Sequence, residues 1–220
     1  MNKSISELTT EVRKHMDEIA VNAGEFVDLT NDNSDMEVII TSKVCQAIDD
    51  IRSAVNISAL DSSDLTVIDD DFVLDYNKTN DRCYAVSEPT DMLRFVKGSL
   101  SSWLDDVYTA YTSGSQEAKI AYNEYVGASV YRPAVVMDKG INGNIVVLVG
   151  RSEDEYARES ETATIWYVPK ATIINNNVTF GDKLETAIVL YLTALVLIAY
   201  GESDRASVLN EQVKNIINYI

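Results

Sequence analysis

The sequence predicts an α+β fold: terminal helices packed as a helical bundle, with an antiparallel β-rich subdomain inserted between them. Three observations lead there. Apolar residues recur at helical intervals at both ends of the chain, while short β-rich runs between turn signals fill the middle. The two patterns are segregated and do not alternate, which favours α+β over a parallel α/β sheet. The expected limits are 1–60 for the N-terminal helices of the bundle, 61–175 for the inserted subdomain and 176–220 for a C-terminal helical hairpin that completes the bundle.

The first helix is expected over 4–21. Ser4 and Glu7 have capping-box spacing, and Ile5, Leu8, Val12 and Ile19 mark one apolar stripe. A polar loop rich in Asn and Asp follows through Asn33. The second helix is expected over 34–55, opened by Ser34 and Glu37 as another capping box. Its buried face is Met36, Ile40, Val44, Ala47, Ile48, Ile51 and Val55.

Strands are expected over 65–68, 72–76, 82–86, 93–97, 134–137, 145–149 and 164–168. Asn142-Gly143 lies between two apolar runs and signals a hairpin, because a type I′ turn needs positive φ at both central positions. A short helix is expected over 116–126, and the charged, apolar-poor stretch 151–161 reads as an exposed loop. Helix returns over 182–200 and 203–220. The short Gly201-Glu202 link makes these two an antiparallel hairpin.

The run from Ala187 to Tyr200 carries no charge over fourteen residues. A spanning helix needs about 20 apolar residues, so this one reads as a core helix and not a membrane span. Being apolar on every side, it must be covered on every side, by its own subunit or by neighbours. Leu209, Val213, Ile216, Ile217 and Ile220 form the stripe of the last helix.

Charge narrows the function. The chain has 220 residues, with 18 Lys+Arg against 35 Asp+Glu and a net charge of −17. Few cations are free to neutralise phosphates, which argues against gripping nucleic acid or an anionic membrane. An acidic wall can still lie beside DNA without holding it, since like charges repel. The N-terminus runs directly into an amphipathic pattern with no apolar leader. Cys45 and Cys83 are too few for a disulfide framework and read as reduced thiols.

Candidate chemistry is sparse. His15 is the single histidine, so zinc ligation has no second imidazole and no cysteine pair to draw on. Neither a phosphate-binding glycine loop nor a nucleophile-elbow motif occurs. Asp69-Asp70-Asp71 could offer oxygens to a hard cation, but successive side chains of a strand face opposite ways. The run Asn31–Asp35 lacks the central glycine and closing glutamate of a calcium loop. No catalytic residue, metal or cofactor is expected, and the chain is not expected to be an enzyme. The aromatics say more: Trp103, Tyr108, Tyr111, Tyr122 and Tyr125 fall within 23 residues. Such residues are enriched both in cores and where a partner buries a surface.

From Glu88 onward the chain resembles the head–tail adaptor (connector ring) proteins of tailed bacteriophages, especially the short-tailed ones. Pro89-Thr90-Asp91-Met92-Leu93-Arg94 is similar to the family's entry into a strand, with Met92 where Phe is usual. Trp103 follows at the expected distance, then Tyr122-Asn123-Glu124-Tyr125, then Arg132-Pro133-Ala134-Val135 at a strand start. Trp166-Tyr167-Val168-Pro169-Lys170 resembles the family's strand end. Gly201-Glu202-Ser203-Asp204 and Arg205-Ala206 resemble the turn and opening of its last helix. The likeness covers 88–220. Residues 1–87 match only by helix placement, 61–87 carry additional β-like sequence, and 151–161 is longer than the family's loop.

The resemblance implies a virion structural protein, made in the host bacterial cytoplasm and located at the head–tail connector. It implies a homo-oligomeric ring, commonly of twelve copies, docked under the portal protein. Such a ring extends the DNA channel, binds no DNA specifically, touches no membrane and offers a platform to tail or further ring proteins. Asn218, Tyr219 and Ile220 become candidates for the portal contact, and Trp103, Tyr108, Tyr111, Tyr122 and Tyr125 for contacts within the ring or with the tail. Another virion ring, tail or capsid-associated protein is the alternative. An enzyme or ligand-binding protein is a third class, which would need a concave pocket with converging polar groups.

Overall fold

The computed structural model describes residues 1–23, 33–69, 83–85, 89–123, 125–140, 143–150 and 162–220. In chain order the elements are β1 (Asn2–Ser4), α1 (Ile5–Ala23), α2 (Asn33–Ala54), a 3-10 turn (Ile57–Ala59), β2 (Thr66–Asp69), β3 (Cys83–Ala85), β4 (Met92–Leu100), β5 (Ala110–Thr112), α3 (Gln116–Ala121), β6 (Ala134–Lys139), β7 (Asn144–Val149), β8 (Ala163–Pro169), β9 (Asn177–Thr179), a 3-10 turn (Asp182–Leu184), α4 (Glu185–Ala199) and α5 (Ser203–Tyr219). The fold is α+β. The chain divides into a helical unit, Met1–Asp64 with Lys170–Ile220, and a β-rich unit, Leu65–Pro169. The divisions therefore fall at 64/65 and 169/170, where the sequence pattern had suggested 60/61 and 175/176.

In the helical unit, α1 opens on a reciprocal cap. The Ser4 backbone N–H donates to Glu7 Oε2 at 2.8 Å, and the Glu7 N–H donates to Ser4 Oγ at 3.2 Å. The Ser4 N–H bond, first among the causes, holds the Glu7 carboxyl below its ordinary value. Ile5, Leu8, Val12 and Met16 are buried, while the side chain of Ile19 lies outside the described ones. On α2 all seven expected stripe residues, from Met36 to Val55, are buried. This helix is already helical at Asn33, one residue before the expected Ser34 cap.

Helix α4 is the centre of the unit. It packs on α1, α2 and α5, and these bury nine of its residues, Ala187–Leu190, Leu192–Ala194, Val196 and Leu197. The helix thus finds most of its cover in its own subunit. It ends in a Schellman motif: the Glu202 N–H donates to Leu197 O at 2.9 Å and the Gly201 N–H to Ile198 O at 3.0 Å. Gly201 has φ +86, the left-handed conformation that this motif requires of its C′ residue. The chain then reverses into α5, whose Ala206, Leu209 and Val213 are buried. Strands β1 and β9, which no alternation announced, pair antiparallel with Lys3 opposite Val178. Lys3 also bridges Glu11 and Glu185. Burial opposes its charge, but the two carboxylates together outweigh that and raise its affinity for the proton.

A buried ion pair closes the unit where its first segment ends. Asp64 is fully buried and Arg52 is 2% exposed. Arg52 Nε donates to Asp64 Oδ1 at 2.9 Å and its Nη2 to Thr179 O at 2.9 Å. The Gly181 N–H adds a third donor to this arrangement, reaching Asp64 Oδ1 at 2.9 Å. Nearby, Asp49 Oδ1 accepts the Ala171 N–H at 2.7 Å. Helix α2 therefore pins the second segment of the unit just after it begins.

The β-rich unit has three layers. One sheet has the order β2-β8-β4, antiparallel throughout. A second has the order β3-β7-β6-β5. Between them lies a core of Met92, Phe95, Leu100, Val135, Val146, Leu148, Ile165 and Tyr167. The sheets approach closely at Gly98, where a Cβ would stand 2.9 Å from Leu148 Cδ2 and 3.3 Å from Val135 Cγ2. On the far face of the second sheet, Ala118 and Ala121 of α3 pack on Ala134, Val136 and Val149.

Several expectations change here. The subdomain is not wholly antiparallel: β5, an unexpected strand, runs parallel to β6 with Tyr111 opposite Val136. Helix α3 stops at Ala121 instead of reaching 126. The β6–β7 hairpin forms, with Lys139 opposite Asn144, but its turn residues 141–142 lie outside the described residues. So do the expected strand 72–76 and the expected loop 151–161.

Candidate functional site: an exposed tyrosine surface

The most distinctive feature of the β-rich unit is built by the turn after α3. Ser115 Oγ caps that helix by accepting the Ala118 N–H at 3.1 Å. At the other end Asn123 Oδ1 accepts the N–H groups of Tyr125 and Val126, at 2.9 and 3.1 Å. This Asx turn breaks the helix and folds the chain back, so that the Ala128 N–H donates to Ala121 O at 2.9 Å. Gly127 is required by the close approach, because a Cβ there would lie 2.1 Å from Asn123 O. A second reversal bridges Ser129 and Arg132. Buried Ala128 anchors the loop, while Tyr125, Val126 and Tyr131 are left exposed.

Tyr125 is consequently 90% exposed, Tyr131 76%, Leu104 71% and Val126 69%. Leu104 joins the group because its N–H donates to Val130 O at 3.4 Å. Ile120 is the fifth member, and between α3 and the loop lies a cleft of about 320 Å³ lined by Ile120, Val126, Tyr111, Pro133, Glu117 and Arg132 among others. Single exposed apolar side chains need no explanation; here Ile120 and Val126 share one cleft, and Tyr125, Tyr131 and Leu104 are exposed on the neighbouring stretches of chain. Among the described residues of these segments, Asp105, Glu117, Lys119 and Arg132 are exposed.

The sequence-predicted interface residues separate. Trp103 is a correction: it is buried at 8% exposure in the core between the sheets, and its indole N–H donates to Gly150 O at 2.8 Å. A tryptophan with its polar atom satisfied inside the protein is a packing residue. Tyr111 is half-buried in the cleft wall, and Tyr122 is half-buried against the alanine layer of α3. Tyr108 and Tyr125 are exposed. Leu104, Ile120, Val126 and Tyr131 were not singled out from sequence. The expected helix to 126 concealed Ile120 and Val126, although Asn123 and Gly127 were the available signal for a turn; Leu104 and Tyr131 had no local signal.

At the end of α5, Tyr219 is 92% exposed, Asn218 is exposed and Ile220 is half-buried. His15 is half-buried on α1. Of the acidic run, Asp69 ends β2 while Asp70 and Asp71 lie outside the described residues, as do Asn31 and Asp32. Among the described residues no three His, Cys, Asp or Glu converge on a point where a metal could sit. Cys45 is half-buried, and burial, followed by the charge of Asp49, pushes its thiol above the ordinary value. Burial likewise pushes the Tyr167 hydroxyl up to about 12, reinforced by its 3.0 Å bond to Asp91 Oδ1. Among the described residues no helix is long and apolar enough to cross a membrane.

No family model matches this sequence, and no curated protein matches it.

Proposed function

We propose that this chain is a virion structural protein, a head–tail connector (adaptor) ring subunit that docks under the portal, extends the DNA channel and carries a platform for tail proteins. The observation that carries the reading is the exposure of Tyr125 and Tyr131 on the loop after α3 in the β-rich unit, whose turn Asn123 holds through the N–H groups of Tyr125 and Val126. Exposed tyrosines at this density suit contact with other proteins, not turnover of a small molecule. The ordered motifs from Pro89 to Ala206 and the helical unit built from both chain ends support the same reading. Asn218, Tyr219 and Ile220 are the proposed portal anchors, at an end of α5 where Tyr219 touches little of its own subunit.

Charge fits the role. Each copy brings −17, so a ring whose lumen displays those carboxylates repels the DNA backbone and lets it slide. The deciding experiment is quantitative mass spectrometry of purified phage particles, followed by electron microscopy of the connector. Adaptor identity requires a copy number close to that of the portal protein and density directly beneath it. Absence from particles refutes the assignment. Abundance at the level of the capsid shell replaces it with a capsid-associated role.

A further inference from the structure

We infer that the cleft between α3 and the loop before β6 takes an extended segment of another protein, one that brings an apolar side chain between a basic and an acidic residue. This deepens the connector reading and rests on it for the source of the segment, a tail protein. The chemistry of the segment follows from the cleft itself.

The cleft is built within the β-rich unit. Glu117, Ile120 and Ala121 share one face of α3, at the spacing that makes helix residues neighbours, and form one wall. Arg132 and Pro133 belong to the opposite wall, and Val126 comes from the loop between them. The other lining side chains include Ala128 and Ala134, which are buried and too small to fill the space. Ligand cavities run from about 300 to 1,000 Å³, so a cleft of about 320 Å³ suits one side chain with its neighbours and not a large cofactor. Ile120 is 49% exposed and Val126 69%, so apolar surface remains there for a ligand to bury. The site needs no rearrangement to bind. Asn123 Oδ1 already holds the N–H groups of Tyr125 and Val126, and Ser129 and Arg132 exchange two backbone hydrogen bonds.

Charge selects the occupant. Among the described residues Glu117 and Arg132 are the charged side chains of the lining, and neither is ion-paired. Glu117 stands in the first turn of α3. Arg132 is bonded to Ser129, whose neighbour Ala128 donates to Ala121 O at the other end of the helix. The two charges therefore lie toward opposite ends of the cleft, with apolar walls between. A wholly apolar segment would cover both without giving either a partner, at a desolvation cost. A nucleic acid would bring phosphates up to Glu117. A segment with a basic residue toward Glu117 and an acidic one toward Arg132 satisfies both, and a guanidinium can take a carboxylate through two parallel bonds. Exposed ion pairs add little affinity, so the apolar side chain supplies most of the binding while the charges choose the partner and its direction.

The test is NMR titration of the isotope-labelled full chain with the peptide Gly-Lys-Leu-Asp-Gly, blocked at both ends. The amides of 117–121 and 126–134 are expected to shift, and those of the helical unit to stay still. The peptide with Ser in place of Leu should bind about tenfold more weakly. Arg132→Glu should weaken the original peptide about two- to fivefold, and the peptide with Lys in place of Asp should recover that loss. The Arg132 bonds to Ser129 belong to its backbone, so this variant keeps the loop. Val126→Ser alters an exposed side chain whose N–H still reaches Asn123, and should weaken binding about threefold. The proposal is overturned if the cleft amides do not move, if the Ser peptide binds as well as the Leu peptide, or if the Lys peptide fails to recover Arg132→Glu. It is also overturned if diluting the native chain alone moves the same amides, because a second copy is then the occupant. Failure of the connector reading looks different: the protein is missing from phage particles while the peptide still shifts the cleft amides.

Discussion

Replacing Asp64 by alanine should destabilise the helical unit severely. Asp64 is fully buried and receives Arg52 Nε and the Gly181 N–H, each at 2.9 Å, with a longer 3.3 Å bond from the Asp61 N–H. Hydrogen bonds to a charged group contribute about 1.5–3 kcal/mol each, and removing one member of a buried ion pair costs about 3–5 kcal/mol because the other charge stays in a poorly solvated place. Arg52 keeps Thr179 O as an acceptor, but not this carboxylate. We expect a loss of about 3–5 kcal/mol, against the about 5–15 kcal/mol that holds a typical domain together. At this size that lowers the melting temperature by about 6–20 °C. Urea unfolding followed by far-ultraviolet circular dichroism reads the effect mainly in the helical unit, which among the described residues holds every helix except α3. Tryptophan fluorescence reads the β-rich unit alone, because both tryptophans, Trp103 and Trp166, lie there. The double replacement Arg52→Met/Asp64→Leu removes both charges and should recover much of the loss. A cost below about 1 kcal/mol for Asp64→Ala, or a double variant no better than the single one, would refute the reasoning.

Three further outcomes are expected. Gly98→Val places branched carbon where even a Cβ would stand 2.9 Å from Leu148 Cδ2, so it should cost about 1–3 kcal/mol or more by overpacking, read by tryptophan fluorescence in urea. Tyr167 has an ordinary value of 10.0 raised to about 12 in the folded chain, so its contribution is complete below pH 10 and is lost as pH rises through 10 to about 12. Tyr167→Phe should remove that part of the alkaline decline, and an unchanged decline in pH-dependent unfolding would show the hydroxyl to be irrelevant. Tyr219→Ser should leave stability within about 0.5 kcal/mol, as expected of an exposed position, while weakening capture of the chain by purified portal rings at least tenfold.

Periodicity carried the helices well. The α2 stripe from Met36 to Val55 was legible because one sequence period determines one buried face, and the Ser4–Glu7 cap was legible because it is made between residues three apart. Short strands were harder. β1, β5 and β9 have three residues each, too few to display an alternation, and they exist because a partner strand lies alongside. Trp103 and Tyr125 illustrate the limit for the site. Both are aromatic residues in polar surroundings, and nothing local distinguishes them. One is buried because Gly150, 47 residues away, offers it a carbonyl, and the other is exposed because Asn123 turns the chain outward.

By itself the sequence determined the class of the fold, the four long helices, the capping of α1, the need of α4 for cover on all sides and the acidity that disfavours a grip on nucleic acid. These depend on residue spacing and composition, which act within a few turns of chain or over the whole of it. Tertiary structure alone decided which neighbours cover α4, that Asp64 is a buried partner of Arg52 and Gly181, and that the Leu104 backbone meets Val130. Those facts join residues distant along the chain, and only closure of the intervening loops brings their side chains within reach of one another.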